Sequence, residues 1–270
     1  MSGAEAEGTR YLPEILQHVR GVVRERKEAA DLRAMERAAA AHRPRGFARA
    51  LRAAAQRGPA VIAELKKASP SKGLIRAEFH VESLALGLER GGAAVLSVLT
   101  EERFFQGSLE NLRRASAAVG IPCLRKDFTV DPFQILEARA NGADAVLLIV
   151  AALTDAELRT LRDEARRCGL DVLCEVHDRE ELERALPLDC ECVGVNSRDL
   201  KTFRVSLERA GELGALLPED TVRVAESGIA TWADVARLRA AGYEAFLIGE
   251  SLMREADPEV ALRRLLVASG

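Results

Sequence analysis

Short apolar runs and amphipathic helical stretches alternate along most of the chain. The runs are Val61–Ala63, Ala93–Thr100, Pro122–Asp127, Ala143–Ile149, Asp171–Val176, Cys192–Asn196, Val222–Glu226 and Ala245–Gly249. Runs of this length, bounded by helical periodicity, read as strands buried on both faces. Strands separated by helical crossovers belong to a parallel sheet. Eight βα units in about 200 residues predict an α/β fold that closes into a (β/α)8 TIM barrel. An open doubly wound sheet is the alternative. It calls for a glycine-rich dinucleotide fingerprint after the first strand, and none is present.

Residues 1–58 have a different pattern. The first dozen are small and polar and are expected to fray. From Pro13 to about Ala41, Ile15, Val19, Val22, Val23, Ala30, Leu32 and Met35 form a thin helical stripe, with an interruption expected near Gly21. Pro44 and Gly46 break the pattern, and Phe47, Leu51, Ala54 and Ala55 predict a second short helix ending at Gly58-Pro59. This apolar content is too thin for an independent core. Residues 1–58 are therefore expected to be a helical extension packing on the barrel of residues 59–270, the two forming a single structural unit.

Composition narrows the function. At 270 residues and 48% hydrophobic content, the chain suits one large α/β domain. No apolar run reaches the roughly 18 residues that cross a bilayer, and no basic segment with an apolar core opens the chain. A cytoplasmic protein without membrane attachment is the expectation. A formal charge of −3 argues against a nucleic-acid partner held on a broad basic face. The five cysteines and four histidines lack zinc-site spacing, so no metal is expected. Lysine is scarce among the cations, yet Lys66, Lys67, Lys72 and Lys126 fall in two short stretches. A primary amine, unlike a guanidinium, can be tuned by burial into a proton donor or a nucleophile.

The chemistry of such a barrel gathers at the C-terminal ends of its strands. Glu64 and Lys66 share the parity of Ile62, so an acid and a base lie on one interior face. Lys126, Glu175, Asn196 with Arg198, and Glu226 end other strands and converge on the same rim if the barrel closes. Ser69-Pro70-Ser71-Lys72-Gly73 reads either as an ordinary polar turn or as a loop able to close over an anion. Ser227-Gly228 and Gly249-Glu250 occupy the seventh and eighth loops, where barrels often hold phosphate on backbone N–H groups. His177 shares the face of Glu175 and is expected at the rim without a catalytic step of its own. From the residues alone, a Schiff-base phosphosugar aldolase using Lys126 or Lys66, or a non-catalytic phospho-metabolite-binding barrel, stays open.

Six stretches in order and at barrel spacing go further: 62–73 (IAELKKASPSKG), Leu99-Thr100-Glu101, 104–108 (FFQGS), 125–128 (RKDF), 194–200 (GVNSRDL) and 225–229 (AESGI). With them nearly the whole chain resembles the indole-3-glycerol-phosphate synthase family, carbon-carbon lyases (carboxy-lyases) of tryptophan biosynthesis. The resemblance implies a cofactor-free conversion of a carboxyphenylamino-deoxyribulose phosphate to indole-glycerol phosphate, with loss of carbon dioxide and water. It implies Lys126 as the general acid toward the ketone and Glu175 as the base or relay in dehydration. Lys66 would bind the carboxylate and assist proton transfer, with Glu64 orienting it. Asn196, Arg198 and Glu226 would position the anthranilate and hydroxyl groups. Phe104 and Phe128 would wall the aromatic ring, and Ser69, Ser227, Gly228, Gly249 and the Glu250 amide would receive the phosphate. A small hydroxyl residue is expected at 250, where glutamate stands, so only its main chain is assigned there. The resemblance also implies an N-terminal segment lying across the barrel mouth. A monomer or weak homo-oligomer is expected, and a 69–75 loop that closes during turnover.

Overall fold

The computed structural model describes residues 4–198 and 206–267. Eight parallel strands close into a barrel: β1 (Ala60–Leu65), β2 (Val95–Leu99), β3 (Cys123–Lys126), β4 (Ala145–Ile149), β5 (Asp171–Val176), β6 (Cys192–Asn196), β7 (Val222–Glu226) and β8 (Ala245–Ile248). Each strand pairs with its sequence neighbours, and β1 closes the ring on β8 with Ala60 opposite Ala245 and Ile62 opposite Leu247. The predicted (β/α)8 barrel is the observed fold.

Strand parity sorts the side chains into two layers. Ile62, Val95, Leu124, Leu147, Leu173, Val224 and Leu247 fill the interior. The alternate residues Val61, Leu96, Val146, Val172, Val193 and Phe246 pack outward under the helices. Burial on both faces is why the strands read as continuous apolar runs rather than as alternation. Several of the intervening helices are started by short polar side chains. Asp131 caps the helix Pro132–Ala140 in a reciprocal box with Gln134, and Thr154 does the same with Glu157 for Asp155–Arg167.

The N-terminal segment departs from expectation. Its first helix runs from Ala4 to Ala29, so the break falls at Ala30-Asp31 rather than near Gly21. Asp31 caps the next helix, Leu32–Ala41, by accepting from the Ala34 N–H at 3.0 Å. Gly21 meets no neighbour that would demand a glycine, and a single glycine inside a long helix costs only about 1 kcal/mol. Only the start of the segment lies at the mouth, where Leu12 and Ile15 line the main cavity. The rest descends the wall through ion pairs, Arg26 to Glu137 at 2.6 Å and Lys27 to Asp131 at 2.9 Å. It ends beneath the barrel, where helix Phe47–Ala55 inserts Phe47 and Leu51, both fully buried, against Ile62, Leu124 and Val224.

After β1 the chain forms a small hairpin, Ala68 opposite Leu74 and Ser69 opposite Gly73. Among the described residues, no helix is long and apolar enough to cross a membrane.

Candidate active site

The strand ends meet in one cavity. Glu64, Lys66, Lys126, Glu175, Asn196, Arg198 and Glu226 all line it, together with Ser69, Ser227, Glu250 and Phe128. Asn196 and Glu226 are register partners on β6 and β7, and Glu175 lies level with Ile149 on β4, so the ring of polar groups follows from strand alignment. Its floor is apolar, from Leu147, Ile149 and Leu247.

Lys126 is the hub. Its Nζ lies 2.7 Å from Glu175 Oε2 and 3.4 Å from Glu226 Oε2. Asn196 donates from Nδ2 to the other Glu175 oxygen at 3.2 Å, and its own Oδ1 accepts the Arg198 backbone N–H at 3.0 Å. Beside this group Lys66 pairs with Glu64 at 2.5 Å, and Ser97 donates to the second Glu64 oxygen.

Two glycines make room for the carboxylates. A Cβ at Gly194 would collide with Glu226 Oε1, and one at Gly249 would strike the Glu64 side chain. Gly249 was assigned from the sequence to phosphate alone. Its second constraint is the carboxylate of the first strand.

Burial by itself would lower the Lys126 pKa, but Glu175, Glu226 and Glu64 outweigh it and hold the ammonium charged above its usual range. Burial would likewise raise Glu175, yet Lys126 and His177 pull it well below an ordinary carboxylate. Glu226 goes the other way, pushed up to about 8 by burial, with Glu175 and Glu64 adding to the rise against Lys126. Three carboxylates around one ammonium cannot all ionise cheaply, and Glu226 is the one driven toward its protonated form.

A folded-state pKa above the ordinary 4.5 means that this contribution to stability is complete below about pH 4.5 and declines as pH rises toward 8. Glu226→Gln, neutral at every pH, should therefore match the wild type near pH 4.5 and melt higher than it at pH 8, by up to about 1.4 kcal/mol per pH unit crossed. Melting temperatures of both proteins across that range check this. A constant difference would show that Glu226 is ionised throughout.

The aromatic wall differs from expectation. Phe104 is not among the side chains lining the cavity; it meets His18 of the first helix edge-on at 5.8 Å, with the Arg103 guanidinium 4.9 Å over its ring. Phe105 takes the position, 6.3 Å from Phe128. Glu101 dictates which ring turns inward, because it accepts the backbone N–H groups of Arg103, Phe104 and Phe105 and folds the loop around itself.

Gly228 and Gly249 line an adjoining cavity that shares Glu64, Lys66, Arg198, Ser227 and Glu250 with the main one. The backbone is left-handed at both Ser227 (φ 65°) and Gly228 (φ 74°). For a non-glycine residue that conformation costs of order 1 kcal/mol and clusters at binding sites. The Glu250 carboxylate lies 3.1 Å from Arg254, 3.9 Å from Lys72 and 4.0 Å from Arg198.

Sequence reasoning gave no role to the buried Arg125. Its guanidinium reaches Asp127 at 2.8 Å, Glu137 at 2.9 Å and the Gln134 carbonyl at 2.8 Å, clamping the strand end that carries Lys126. A charged residue at an outward position inside an apolar run was the available signal. Asp199 and Leu200, the end of the motif that begins at Gly194, lie outside the described residues.

The family model described as Indole-3-glycerol phosphate synthase matches residues 12–265. A protein of that name from Koribacter versatilis (strain Ellin345) is 62% identical over 255 residues, covering 94% of this chain and 98% of its own. Another, from Azospirillum brasilense, is 51% identical over 257 residues with the same coverage. Among solved structures, thiamine phosphate pyrophosphorylase from Pyrococcus furiosus (TM-score 0.59, 18% identity, 76% of this chain and 93% of that one) shares the fold. So does KGPDC from Streptococcus mutans (TM-score 0.60, 10% identity, 77% and 95%). Residues 12–265 include every one of the converging strand ends and the part of the first helix, from Leu12 onward, that reaches their mouth, and on that match the chain belongs to the indole-3-glycerol phosphate synthase family.

Proposed function

We propose that this chain converts 1-(2-carboxyphenylamino)-1-deoxyribulose 5-phosphate to indole-3-glycerol phosphate, carbon dioxide and water, as a cytoplasmic, cofactor-free enzyme of tryptophan biosynthesis. The observation that carries the reading is Lys126, an ammonium with its side chain 14% exposed, held between Glu175 and Glu226 over an apolar floor.

The ring carbon bearing the carboxylate attacks the sugar ketone, and the Lys126 ammonium gives its proton to the forming alkoxide. The carboxylate leaves as carbon dioxide, its electron pair restoring the ring. Glu175 then takes a proton from the substrate carbon beside the nitrogen while Lys66 gives one to the new hydroxyl, which departs as water as the ring double bond forms. Lys66, oriented by Glu64, binds the substrate carboxylate until decarboxylation and assists proton transfer. Asn196, Arg198 and Glu226 place the anthranilate and hydroxyl groups, while Phe105 and Phe128 flank the aromatic ring. Ser69, Ser227, Gly228, Gly249 and the Glu250 main chain receive the phosphate, and the Glu250 side chain stays with Arg254, Arg198 and Lys72.

The electrostatics favour an acid over a Schiff-base nucleophile. An amine that attacks a carbonyl must be neutral, whereas Lys126 sits among carboxylates that keep it protonated. Residues 1–58 and the barrel act as one structural unit, a monomer or weak homo-oligomer. A spectrophotometric assay of the purified chain should show indole-glycerol phosphate forming without added metal or cofactor. No turnover, or borohydride trapping of a phosphosugar adduct at Lys126, would refute the proposal.

A further inference from the structure

His177 follows β5 on the face of Glu175 and is 7% exposed. Its imidazole lies between two carboxylates, with Nδ1 3.0 Å from Glu181 Oε2 and Nε2 3.3 Å from Glu175 Oε1. The ring cannot swing freely, because the same Glu181 oxygen also accepts the His177 backbone N–H at 2.8 Å. Glu181 is fixed in turn: it is the third residue of helix Arg179–Ala185, and its N–H donates to the capping Asp178 side chain at 2.9 Å. His177-Asp178 followed by Glu181 thus builds a socket that presents one ring nitrogen to the base of the site.

Resting on the reaction proposed above, we infer that His177 is a positioning residue, an imidazolium that orients the Glu175 carboxylate and keeps it anionic while Lys126 gives up its proton. In the resting site Glu175 faces Lys126 from β3, Asn196 from β6, Glu226 from β7 and His177 from its own strand end. Once Lys126 has protonated the ketone oxygen it is neutral, and the charge of His177 stays beside Glu175. The His177 proton itself does not move in the reaction. Burial would push the imidazole pKa down, but Glu175 and Glu181 outweigh it and raise it to about 10, which favours the charged ring at neutral pH.

The test combines kinetics with nitrogen-15 NMR of the imidazoles in the full chain, His177 being assigned by its loss in His177→Gln. In the wild type, His177 should keep both ring protons at pH 8; in Glu175→Gln, its titration should move down by about one pH unit or more, since the neighbouring charge is gone. His177→Gln should lose about tenfold in kcat with KM changed less than about twofold, and the acid limb of its kcat profile should shift to higher pH, because Glu175 then protonates more readily. A wild-type His177 titrating near 6.5, or a kcat loss with the acid limb unmoved, would overturn the inference. The NMR measurement needs no substrate and no folded His177 variant beyond the assignment, so failure of this pairing and failure of the proposed reaction are seen separately.

Discussion

Replacing Lys126 by alanine should lower kcat by about 10²-fold or more, the usual worth of a positioned general acid, and should change KM much less. The loss follows from what the ammonium is surrounded by. Lys126 has Glu175 at 2.7 Å and Glu226 at 3.4 Å, so it waits fully protonated. Its proton becomes available when the substrate ketone draws it away and an alkoxide develops beside it. A second substitution separates the proton from the charge. Lys126→Arg keeps a cation among the carboxylates, but a guanidinium does not release a proton near neutral pH. It should be nearly as slow as the alanine variant. If the arginine enzyme recovered most of the rate, the contribution of Lys126 would be electrostatic and the general-acid role would be wrong. The Michaelis constant should be little altered because the substrate's anionic groups are assigned to Lys66 and to the loops around Ser227 and Gly249.

How much of this site could be read beforehand depended on whether a feature was local or tertiary. Parity along β1 is a local property, so Glu64 and Lys66 could be placed on the interior face with Ile62 before any coordinates. The closed barrel then carries Lys126, Glu175, Asn196 and Glu226 to one cavity at the C-terminal ends of the strands, with Asn196 opposite Glu226 and Glu175 opposite Gly194, two residues before Asn196. What could not be read was which of two adjacent rings turns inward. Phe104 and Phe105 are equivalent by composition, and the choice is made by Glu101 accepting their N–H groups and by His18 arriving from the first helix. Nor could the sequence show why Gly194 is glycine. The reason is a carboxylate on the next strand. The thin stripe of the N-terminal segment suggested a cover for the mouth, but the few large apolar residues at its end, Phe47 and Leu51, close the opposite opening. Ion pairs fasten its middle, where apolar contact is scarce.

That opposite end should be where stability is most sensitive. Asp144, completely buried just before β4, accepts the Arg45 backbone N–H at 2.7 Å, the Arg45 guanidinium at 2.6 and 3.0 Å, and the Cys123 N–H at 2.7 Å, with His42 Nε2 3.3 Å away. Arg45 also donates to the Val119 carbonyl at 2.9 Å and to Ser116 Oγ at 2.8 Å, so one carboxylate joins the N-terminal segment to the base of the barrel. Truncating one partner of such a network leaves the others desolvated and unpaired, at a cost of about 3–5 kcal/mol. Asp144→Ala should therefore lower the melting temperature by roughly 10 °C, at about 2–4 °C per kcal/mol for a chain of this size. Arg45→Ala in the same background should cost much less than it does alone, which a double-mutant cycle measures. Burial would raise the Asp144 pKa, but His42, Arg45 and the Cys123 N–H outweigh it and hold it below the usual value. Its contribution is accordingly complete above about pH 4 and is lost as pH falls through the depressed folded-state value, so the gap between wild type and variant should narrow in acid. Because catalysis is placed at the other end of the strands, the folded fraction of Asp144→Ala should turn over at close to the wild-type rate at low temperature. A variant that melted within about 1 kcal/mol of the wild type, or in two separate transitions for segment and barrel, would show that the extension is not held to the barrel as a single cooperative unit through this residue.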